Sequence, residues 1–405
     1  MNATATVLAL TLMTSAGFIP ASVMADEPSY VDRGCGFGQM AEPKVEVVFV
    51  LDTTGSMSGL IEGAKQKIWS IASEIAQAQP APKLKMGLVG YRDRGDNYIT
   101  TRTALTDDID TVYEKLMGFE AGGGGDTPES VNQALYEAIE RFDWSDDPST
   151  LKIVFLVGDA PPQMGYQDDV KYQASCKLAA ERGIMVNTIQ CGNLKGTRGH
   201  WTKIANLTNG AYASIAQDAG VQRIATPYDQ EITELDQELA SLMIDYGDGE
   251  TMGYSFVKRD RAYAVSSKAA PEAAADRALY NQSSAGRKNL YGKQELVDDI
   301  SSGEVSIDEL KESELPSTLQ GKSKEELKAI IAENGEQRTK IQSRLSELAW
   351  LRRSFQADAR QSLPSDGFDR QVLRTLQKQG ASIGLKFATP QKSDSKDDKG
   401  PKSKD

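Results

Sequence analysis

The stretch that decides the fold is KVEVVFVLDTTGSM at positions 44–57. Residues 45–51 form an apolar, β-branched run, which is typical of a strand that is buried on both faces of a parallel sheet. An acidic residue, Asp52, ends this run, and the hydroxyl residues Thr54 and Ser56 follow it at alternate positions. The stretch therefore predicts a central strand that leads directly into a polar loop.

Strand and helix patterns alternate outward from this strand, from position 44 to about position 225. A second fully buried strand is predicted at residues 151–157, and the next, largely apolar strand at residues 184–190. Alternating β and α segments indicate a mostly parallel sheet with helices on both faces. We therefore predict a doubly wound α/β domain over residues 44–225. Further strands are predicted at 84–91, 98–105 and 210–215, and helices at 57–79, 108–119, 129–142, 168–182, 201–207 and after 229.

The composition changes beyond the α/β domain, where Ala, Ser and charged residues replace the apolar strands. Residues 226–388 are predicted to form a helical extension, with a flexible link at 266–275. Ser323-Lys324-Glu325-Glu326 is a capping box that opens a long helix, and Asn334-Gly335 is expected to interrupt it. This helix is expected to pack on itself or on the first domain, with a partner-binding helix as the alternative. Residues 389–405 lack apolar side chains and are predicted to be disordered.

The amino terminus carries the pattern of a secretory signal. Residues 6–20 are apolar but too short to span a bilayer, and the small residues Val23 and Ala25 precede Asp26 at the −3 and −1 positions. This pattern predicts a signal peptide over residues 1–25 that is cleaved after Ala25. We therefore expect a secreted or periplasmic protein in which residues 26–43 form a short segment before the first strand.

Three cysteines are too few for a disulfide scaffold. The predicted export would place their thiols in an oxidising compartment. Cys176 lies late in a predicted helix and Cys191 ends the next predicted strand, so these two are the candidates for a disulfide. Such a bond would leave Cys35 as the odd cysteine.

The charge balance excludes some classes of partner. The chain has 46 Lys and Arg residues against 58 Asp and Glu residues, for a formal net charge of -12. Such a surface repels nucleic acids and anionic lipids. His200 is the single histidine, which excludes zinc sites with several His ligands and argues against a histidine-based catalytic triad.

Three polar loops carry the candidate chemistry. They are DTTGS at 52–56, GGGGDTPE at 122–129 and GDAP at 158–161, and each follows a strand or opens a helix. Loops at the carboxyl ends of central strands converge in an open parallel sheet. Carboxylates that converge repel one another unless a cation lies between them. Ligand sets made only of oxygen suit Mg²⁺, Ca²⁺ or Mn²⁺, so the sequence predicts a divalent-cation site.

Together these loops resemble the metal-ion-dependent adhesion site of the von Willebrand factor A-type domain. The family pattern Asp-x-Ser/Thr-x-Ser is matched by Asp52, Thr54 and Ser56, and the acid after the fourth strand is matched by Asp159. The resemblance covers roughly residues 44–225. It implies that the two carboxylates anchor the cation and that the two hydroxyls are direct ligands.

The middle loop departs from the family pattern. The threonine that the family usually supplies falls on Gly125 by simple alignment, so Asp126 or Thr127 would take its place. The loop is similar to the Gly-Gly-Gly-Asp-x-Pro-Glu variant of exported bacterial A-domain proteins. The resemblance leaves the choice between the two residues open.

The resemblance also implies a function. Neutral hydroxyl ligands leave a bound Mg²⁺ electrophilic, and Mg²⁺ readily keeps water in some of its positions. In the family, the open position is filled by an acidic side chain of a partner protein. We therefore expect a cation-dependent protein-binding module for adhesion or scaffolding rather than an enzyme. The alternatives are a metal-dependent hydrolase or phosphatase at the same site, and a helical scaffold with a vestigial site.

One further string lies between two predicted strands. Arg94-Gly95-Asp96 matches an integrin-recognition string by its letters alone. We interpret it as a charged hairpin turn. Its charges are expected to lie at the rim of the cation site, where they would help to select partners.

Overall fold

The computed structural model describes residues 42–125, 127–217, 224–292, 294–360 and 367–387. The signal peptide, most of the 26–43 segment, Cys35, Asp126 and the charged tail that were predicted above lie outside these residues. Among the described helices, none is long and apolar enough to cross a membrane.

A six-stranded sheet forms the centre of the α/β part, with strand order β3-β2-β1-β4-β5-β6. All neighbouring strands are parallel except β2 and β3, which are antiparallel. The predicted mostly parallel, doubly wound sheet is therefore confirmed. The strands are β1 (Lys44–Asp52), β2 (Lys83–Tyr91), β3 (Thr100–Thr106), β4 (Leu151–Gly158), β5 (Ile184–Cys191) and β6 (Tyr212–Ile215).

Helices flank the sheet and make up the region after it, as predicted. Five helices belong to the α/β part: α1 (Ser58–Ala76), α2 (Ile109–Met117), α3 (Val131–Glu140), α4 (Tyr172–Glu181) and α5 (Thr197–Leu207). The helices of the C-terminal region are α6 (Asp229–Ser241), α7 (Gly249–Lys268), α8 (Pro271–Asn281), α9 (Arg287–Tyr291), α10 (Leu296–Ser302), α11 (Lys324–Arg360) and α12 (Phe368–Gly380). The predicted helical extension is therefore confirmed.

Both faces of the central strand β1 are buried, which explains why its sequence does not alternate between apolar and polar residues. Phe49 and Leu51 pack on the side of the sheet that α1 covers, whereas Val48 and Val50 pack on the side that α3 covers. The acidic residue Glu46 is also buried, and its carboxylate accepts a hydrogen bond of 2.8 Å from the backbone of Ser145. These two sides are called the α1 side and the α3 side below.

The predicted disulfide between Cys176 and Cys191 is wrong. Both residues are buried and free in the described structure. Cys191 packs on the α1 side and Cys176 on the α3 side, so the sheet lies between the two thiols. Adjacency along the chain did not bring them together, because a strand end can point its side chain to either face. Burial raises the pKa of the Cys176 thiol to about 12.

The predicted flexible link at 266–275 is wrong as well. The helix α7 continues to Lys268, and α8 begins at Pro271, where proline is well accommodated in the first turn of a helix. Ala273, Ala274 and Ala275 are buried. Small side chains that resembled linker composition instead allow α8 to lie close to α1.

The long helix α11 keeps its predicted start but not its predicted interruption. The backbone N–H of Ser323 donates to the Glu326 carboxylate over 2.7 Å, and the N–H of Glu326 donates to the Ser323 hydroxyl over 3.2 Å. The capping box is therefore confirmed. The helix runs on through Asn334-Gly335, and the Asn334 amide donates to the carbonyl of Leu242 over 3.2 Å.

The helical region completes the core of the α/β part. Phe368 at the start of α12 is buried on the α1 side, with its ring centroid 6.2 Å from that of Phe49 in β1. Val372 and Leu376 of the same helix join this core. The α/β part and the last described helix therefore share one hydrophobic core, although more than a hundred residues separate them in the chain.

A buried ion network joins the same two regions. The Arg277 guanidinium in α8 binds both carboxylate oxygens of Asp110 in α2, over 2.7 and 2.8 Å. It also donates to Asp236 in α6 over 2.9 Å. Because removal of one partner would leave a buried charge uncompensated, this network constrains how α6 and α8 sit on α2.

Phe368→Ala should destabilise the α/β fold itself, because the ring fills the core beside Phe49. We expect the free energy of unfolding to fall by about 3–5 kcal/mol. Phe256→Ala, in α7, is the matched control because that ring is 67% exposed. Denaturant unfolding followed by circular dichroism measures both changes. Equal and small losses for the two variants would show that α12 does not support the sheet.

Candidate cation site

Asp52 is the buried centre of the candidate site. It ends β1 and has no exposed surface. One carboxylate oxygen, Oδ1, accepts hydrogen bonds from the backbone N–H and the hydroxyl of Thr54, over 2.9 and 2.7 Å. The other oxygen, Oδ2, is buried and has no donor with hydrogen-bond geometry among the described residues, although the Tyr91 hydroxyl interacts with the carboxylate and lowers its pKa slightly. Burial, with a smaller contribution from the charge of Asp159, raises the pKa of Asp52 to about 7.

The predicted hydroxyl ligands lie beside this carboxylate. The Thr54 side chain is buried, whereas Ser56 is exposed in the short turn that leads into α1. Their hydroxyl oxygens are 3.3 Å apart. The alternate spacing of the two residues therefore places both hydroxyls on the same side of the loop, next to Asp52.

Asp159 enters the site from the end of β4. Its carboxylate accepts a hydrogen bond of 2.8 Å from the side-chain amide of Gln217, and its backbone carbonyl accepts one of 2.9 Å from the Thr197 hydroxyl. The same Gln217 amide donates to the backbone carbonyl of Ser56 over 3.3 Å. Gln217 thus links the first and third predicted loops. No pattern in the sequence indicated this residue, because its role depends on where β6 ends in space.

The glycine-rich loop packs directly against the first loop. The N–H of Gly122 donates to the Thr53 carbonyl over 3.1 Å, and the N–H of Gly55 donates to the Gly123 carbonyl over 3.3 Å. Gly124 has a φ of +70°, and a Cβ atom there would lie 2.8 Å from the Cβ of Thr54. Only glycine allows the backbone to approach the hydroxyl ligand this closely.

Glu129 is a site residue that the sequence analysis did not assign, although it quoted the loop that contains it. It is 2% exposed, and its Oε2 atom has no donor within the described ranges. Burial raises its pKa to about 8, and the charges of Asp52 and Asp93 add to the increase. The sequence feature that could have indicated Glu129 is its position at the end of the Asp-Thr-Pro-Glu run, two residues before α3 begins.

The middle ligand that the resemblance implied is not decided by the described structure. Thr127 is exposed, and Asp126 lies outside the described residues. A Cβ atom built on Gly125 would have nothing within 4 Å among the described residues. The assignment of Asp126 or Thr127 to the site therefore stays a prediction.

The Arg94-Gly95-Asp96 string forms the connection between the antiparallel strands β2 and β3, in agreement with the hairpin interpretation. Asp96 accepts a hydrogen bond of 3.1 Å from the backbone N–H of Gly124, so it holds the glycine-rich loop in place. Arg94 forms ion pairs with Asp168 over 3.0 Å and with Asp169 over 2.7 Å. Both charged residues of the string are thus bound within the protein.

The donor set at this site fits a hard divalent cation. In the part of the chain that the structure describes, no group of three or more His, Cys, Asp or Glu side chains is arranged to hold a metal ion. The carboxylates of Asp52 and Glu129, each with one buried oxygen that has no described donor, nevertheless lie near Thr54. The Thr54 hydroxyl donates to Oδ1 of Asp52 over 2.7 Å, and a Cβ atom on Gly124 would lie 2.8 Å from the Cβ of Thr54 and 3.2 Å from Oε1 of Glu129. Oxygen ligands of this kind suit Mg²⁺, Mn²⁺ or Ca²⁺.

Comparison with known proteins identifies the α/β part. Residues 46–227 match the family model described as the von Willebrand factor A domain. This range covers all six strands apart from the first two residues of β1. The α/β part of the chain is therefore a von Willebrand factor A domain, a class that typically mediates protein interactions, and the helical region lies outside the match.

Three relatives resemble the chain over parts of this range. Von Willebrand factor A domain-containing protein 7 of Rattus norvegicus is 33% identical over 130 residues, which are 32% of this chain and 13% of the relative. Putative ariadne-like RING finger protein R811 of Acanthamoeba polyphaga mimivirus is 29% identical over 118 residues, which are 29% of this chain and 11% of the relative. Alpha-protein kinase vwkA of Dictyostelium discoideum is 30% identical over 126 residues, which are 29% of this chain and 18% of the relative. The chain thus spans less than a fifth of the length of these relatives.

Solved structures match a similar share of the chain. Proximal thread matrix protein 1 from the mussel byssus, with a zinc-occupied MIDAS motif, aligns with a TM-score of 0.35 and 15% identity, over 44% of this chain and 43% of that chain. The SpRpn10 VWA domain aligns with a TM-score of 0.33 and 14% identity, over 43% of this chain and 88% of that chain. The exported bacterial type stays a prediction.

Asp52→Asn should stabilise the protein in the presence of a chelator at alkaline pH. Because burial raises the pKa of Asp52, the folded protein holds a proton that the unfolded chain has lost, between about pH 4 and pH 7. The free energy of unfolding therefore falls as the pH rises through this window. At pH 8 we expect the variant to exceed the wild type by roughly 1–4 kcal/mol.

Denaturant unfolding at several pH values in EDTA measures this difference. Asp146→Asn is the control. Because Asp146 is exposed, we expect this variant to change the free energy of unfolding far less. A variant that is less stable than the wild type at pH 8 would show that the buried Asp52 carboxylate is satisfied without a cation.

Proposed function

We propose that the von Willebrand factor A domain of this protein binds one divalent cation, Mg²⁺ or alternatively Mn²⁺ or Ca²⁺, and that the bound cation holds an acidic group of a partner protein. Asp52 and Asp159 would anchor the cation, and Thr54 and Ser56 would supply hydroxyl oxygens. The observation that carries the proposal is the buried Asp52 Oδ2 atom, which has no described donor with hydrogen-bond geometry, although the Tyr91 hydroxyl interacts with the carboxylate. The charge of Asp159 raises the pKa of the same carboxyl.

The charges around the site explain why a cation would be required. The charges of Asp52, Asp93 and Asp159 each raise the pKa of Glu129, and the charge of Asp159 also raises the pKa of Asp52. An acidic partner group would be repelled by this cluster as it stands. A divalent cation offsets part of the negative charge and supplies a Lewis-acidic position that accepts an outside oxygen. Binding of the partner would therefore depend on the cation.

Glu129 adds a carboxylate to the predicted set. A Cβ atom on Gly124 would lie 3.2 Å from its Oε1 atom, so Glu129 faces the glycine-rich loop at the point where that loop meets Thr54. Its free Oε2 oxygen would bind the cation directly or through a water molecule. Asp126 or Thr127 would complete the set of ligands from the same loop.

Calorimetric titration with Mg²⁺, Mn²⁺ and Ca²⁺ tests cation binding directly. We expect a single site with a dissociation constant in the micromolar-to-millimolar range. Asp52→Ala should abolish the signal, and Glu129→Gln should weaken binding by about tenfold, because each removes a charged oxygen that has no other described donor. Asp146→Ala, which removes an exposed carboxylate, should leave binding unchanged.

Two results would contradict this function. The absence of binding by the wild-type chain would indicate a vestigial site. Hydrolysis of a generic phosphoester with Mg²⁺, lost in the Asp52→Ala variant, would instead indicate an enzyme that uses the same ion.

The partner's acidic group can be tested with small peptides. A capped Gly-Asp-Gly peptide and its Gly-Asn-Gly counterpart differ only in the carboxylate. With the protein-bound Mn²⁺ ion as a probe, we expect the aspartyl peptide to displace water from the ion and to lower the water-proton relaxation rate, while the asparaginyl peptide has no effect. Equal effects of the two peptides would show that the open position does not select a carboxylate.

A further inference from the structure

Two arginines in the β2–β3 connection have opposite surroundings. Arg92 is 6% exposed, and its side chain donates to the backbone carbonyl of Thr53 over 3.1 Å and to that of Glu120 over 2.7 Å. The side chain of Arg94 is 35% exposed, and it pairs with two carboxylates in the loop after β4. A buried positive charge is usually paired with an acidic side chain. Among the described contacts, the hydrogen bonds of the Arg92 guanidinium go to main-chain carbonyls instead.

The two carbonyls belong to different loops of the cation site. Thr53 lies between the predicted ligands Asp52 and Thr54, and Glu120 leads into the glycine-rich loop. The backbone of Arg92 adds a third link, because its carbonyl accepts a hydrogen bond of 3.2 Å from the N–H of Ser130, the residue after Glu129. One residue therefore holds the first loop and both ends of the middle loop.

Tyr98 strengthens this arrangement from the other side of the connection. Its ring centroid lies 4.6 Å from the Arg92 guanidinium carbon, which is a cation–π contact. The Thr53 hydroxyl donates to the carbonyl of Tyr91 over 2.8 Å, so the Tyr98 hydroxyl, 2.7 Å away, donates to Thr53. The side chain of Thr53 is thus bound to β2 and to Tyr98, while its two neighbours face the site.

We infer that Arg92 is a positioning residue for the cation site. Its planar fork spans two carbonyls and keeps the first loop and the glycine-rich loop at the separation at which Asp52, Thr54 and Glu129 converge. The inference rests on the proposed cation binding, which it deepens by naming a residue that sets the affinity without being a ligand. Lysine keeps the charge but has no planar fork that spans both carbonyls.

Arg92→Met and Arg94→Met form a matched pair of variants in the same connection. We expect Arg92→Met to weaken Mg²⁺ binding by about tenfold or more, measured by calorimetry on the full chain, and Arg94→Met to change it by less than about twofold. Arg92→Lys should stay weakened by at least about fivefold, because the charge alone does not bridge the loops.

A second measurement separates positioning from simple support of the fold. Water-proton relaxation reports how many water molecules remain on the bound Mn²⁺. In Arg92→Met, we expect more bound water than in the wild type, because fewer protein oxygens reach the ion. Thermal unfolding of each variant identifies a temperature at which all of them are folded, and both measurements are made there.

Tyr98→Phe keeps the ring but removes the hydroxyl that bonds to Thr53. We expect it to lose less Mg²⁺ affinity than Arg92→Met.

The outcomes distinguish this inference from the proposed function. If the wild-type chain binds no cation, both are wrong. If the wild type binds Mg²⁺ and Arg92→Met binds it within about twofold, the inference alone is overturned. Full recovery of Mg²⁺ affinity in Arg92→Lys would also overturn the inference. So would an Arg92→Met variant that unfolds at a lower temperature but keeps the wild-type number of water molecules on Mn²⁺.

Discussion

Parallel pairing of β1 with β2 on one side and with β4 on the other is the constraint on which the rest of the structure depends. Asp52 lies opposite Tyr91, and Leu51 lies opposite Val157, so the three strands end together. Because all three are parallel, the loops that follow them start from the same edge of the sheet. The acidic, hydroxyl and glycine-rich segments meet there although up to about a hundred residues separate them.

The meeting of these loops has a cost in stability. Burial disfavours the charged form of a carboxylate, and the raised pKa values of Asp52 and Glu129 express this cost. The hydrophobic cores on both faces of the sheet offset this cost in the free energy of unfolding. A cost of this kind is characteristic of sites that are kept for binding, where activity and stability conflict. The Arg92 guanidinium adds a buried positive charge at the same edge, where it donates to backbone carbonyls of the loops.

The helical region is part of the fold rather than an appendage. Buried arginines in this region are paired with acids: Arg277 with Asp110 and Asp236, and Arg352 with Asp229 over 2.6 Å. The pair of Arg277 with Asp110 joins α8 to α2 of the domain, whereas the pair of Arg352 with Asp229 joins α11 to α6 within the helical region. Together with α12 on the α1 side of the sheet, the first pair fixes the helical region against the domain. The contrast with Arg92 is informative, because ion pairs suffice to join helices, whereas the site needs its loop carbonyls held at a set spacing.

The sequence by itself determined the order of strands and helices along the chain and named most residues of the candidate site. Apolar runs such as residues 45–51 indicate buried strands because both faces must exclude water, and the residues that follow each strand indicate which groups gather at the sheet edge. Asp52, Thr54, Ser56 and Asp159 were identified in this way, because their positions follow from local strand ends.

Only the tertiary structure decided the features that depend on contacts between distant segments. The face to which Cys191 points, the burial of the alanines in α8 and the role of α12 in the core all depend on packing partners that no local pattern names. The same is true of Glu129, Gln217 and Arg92, whose environments are built by three or more segments of the chain. Local composition indicates whether a segment tends to form a helix, a strand or a loop. Its burial and its hydrogen-bond partners are set by the segments that pack against it.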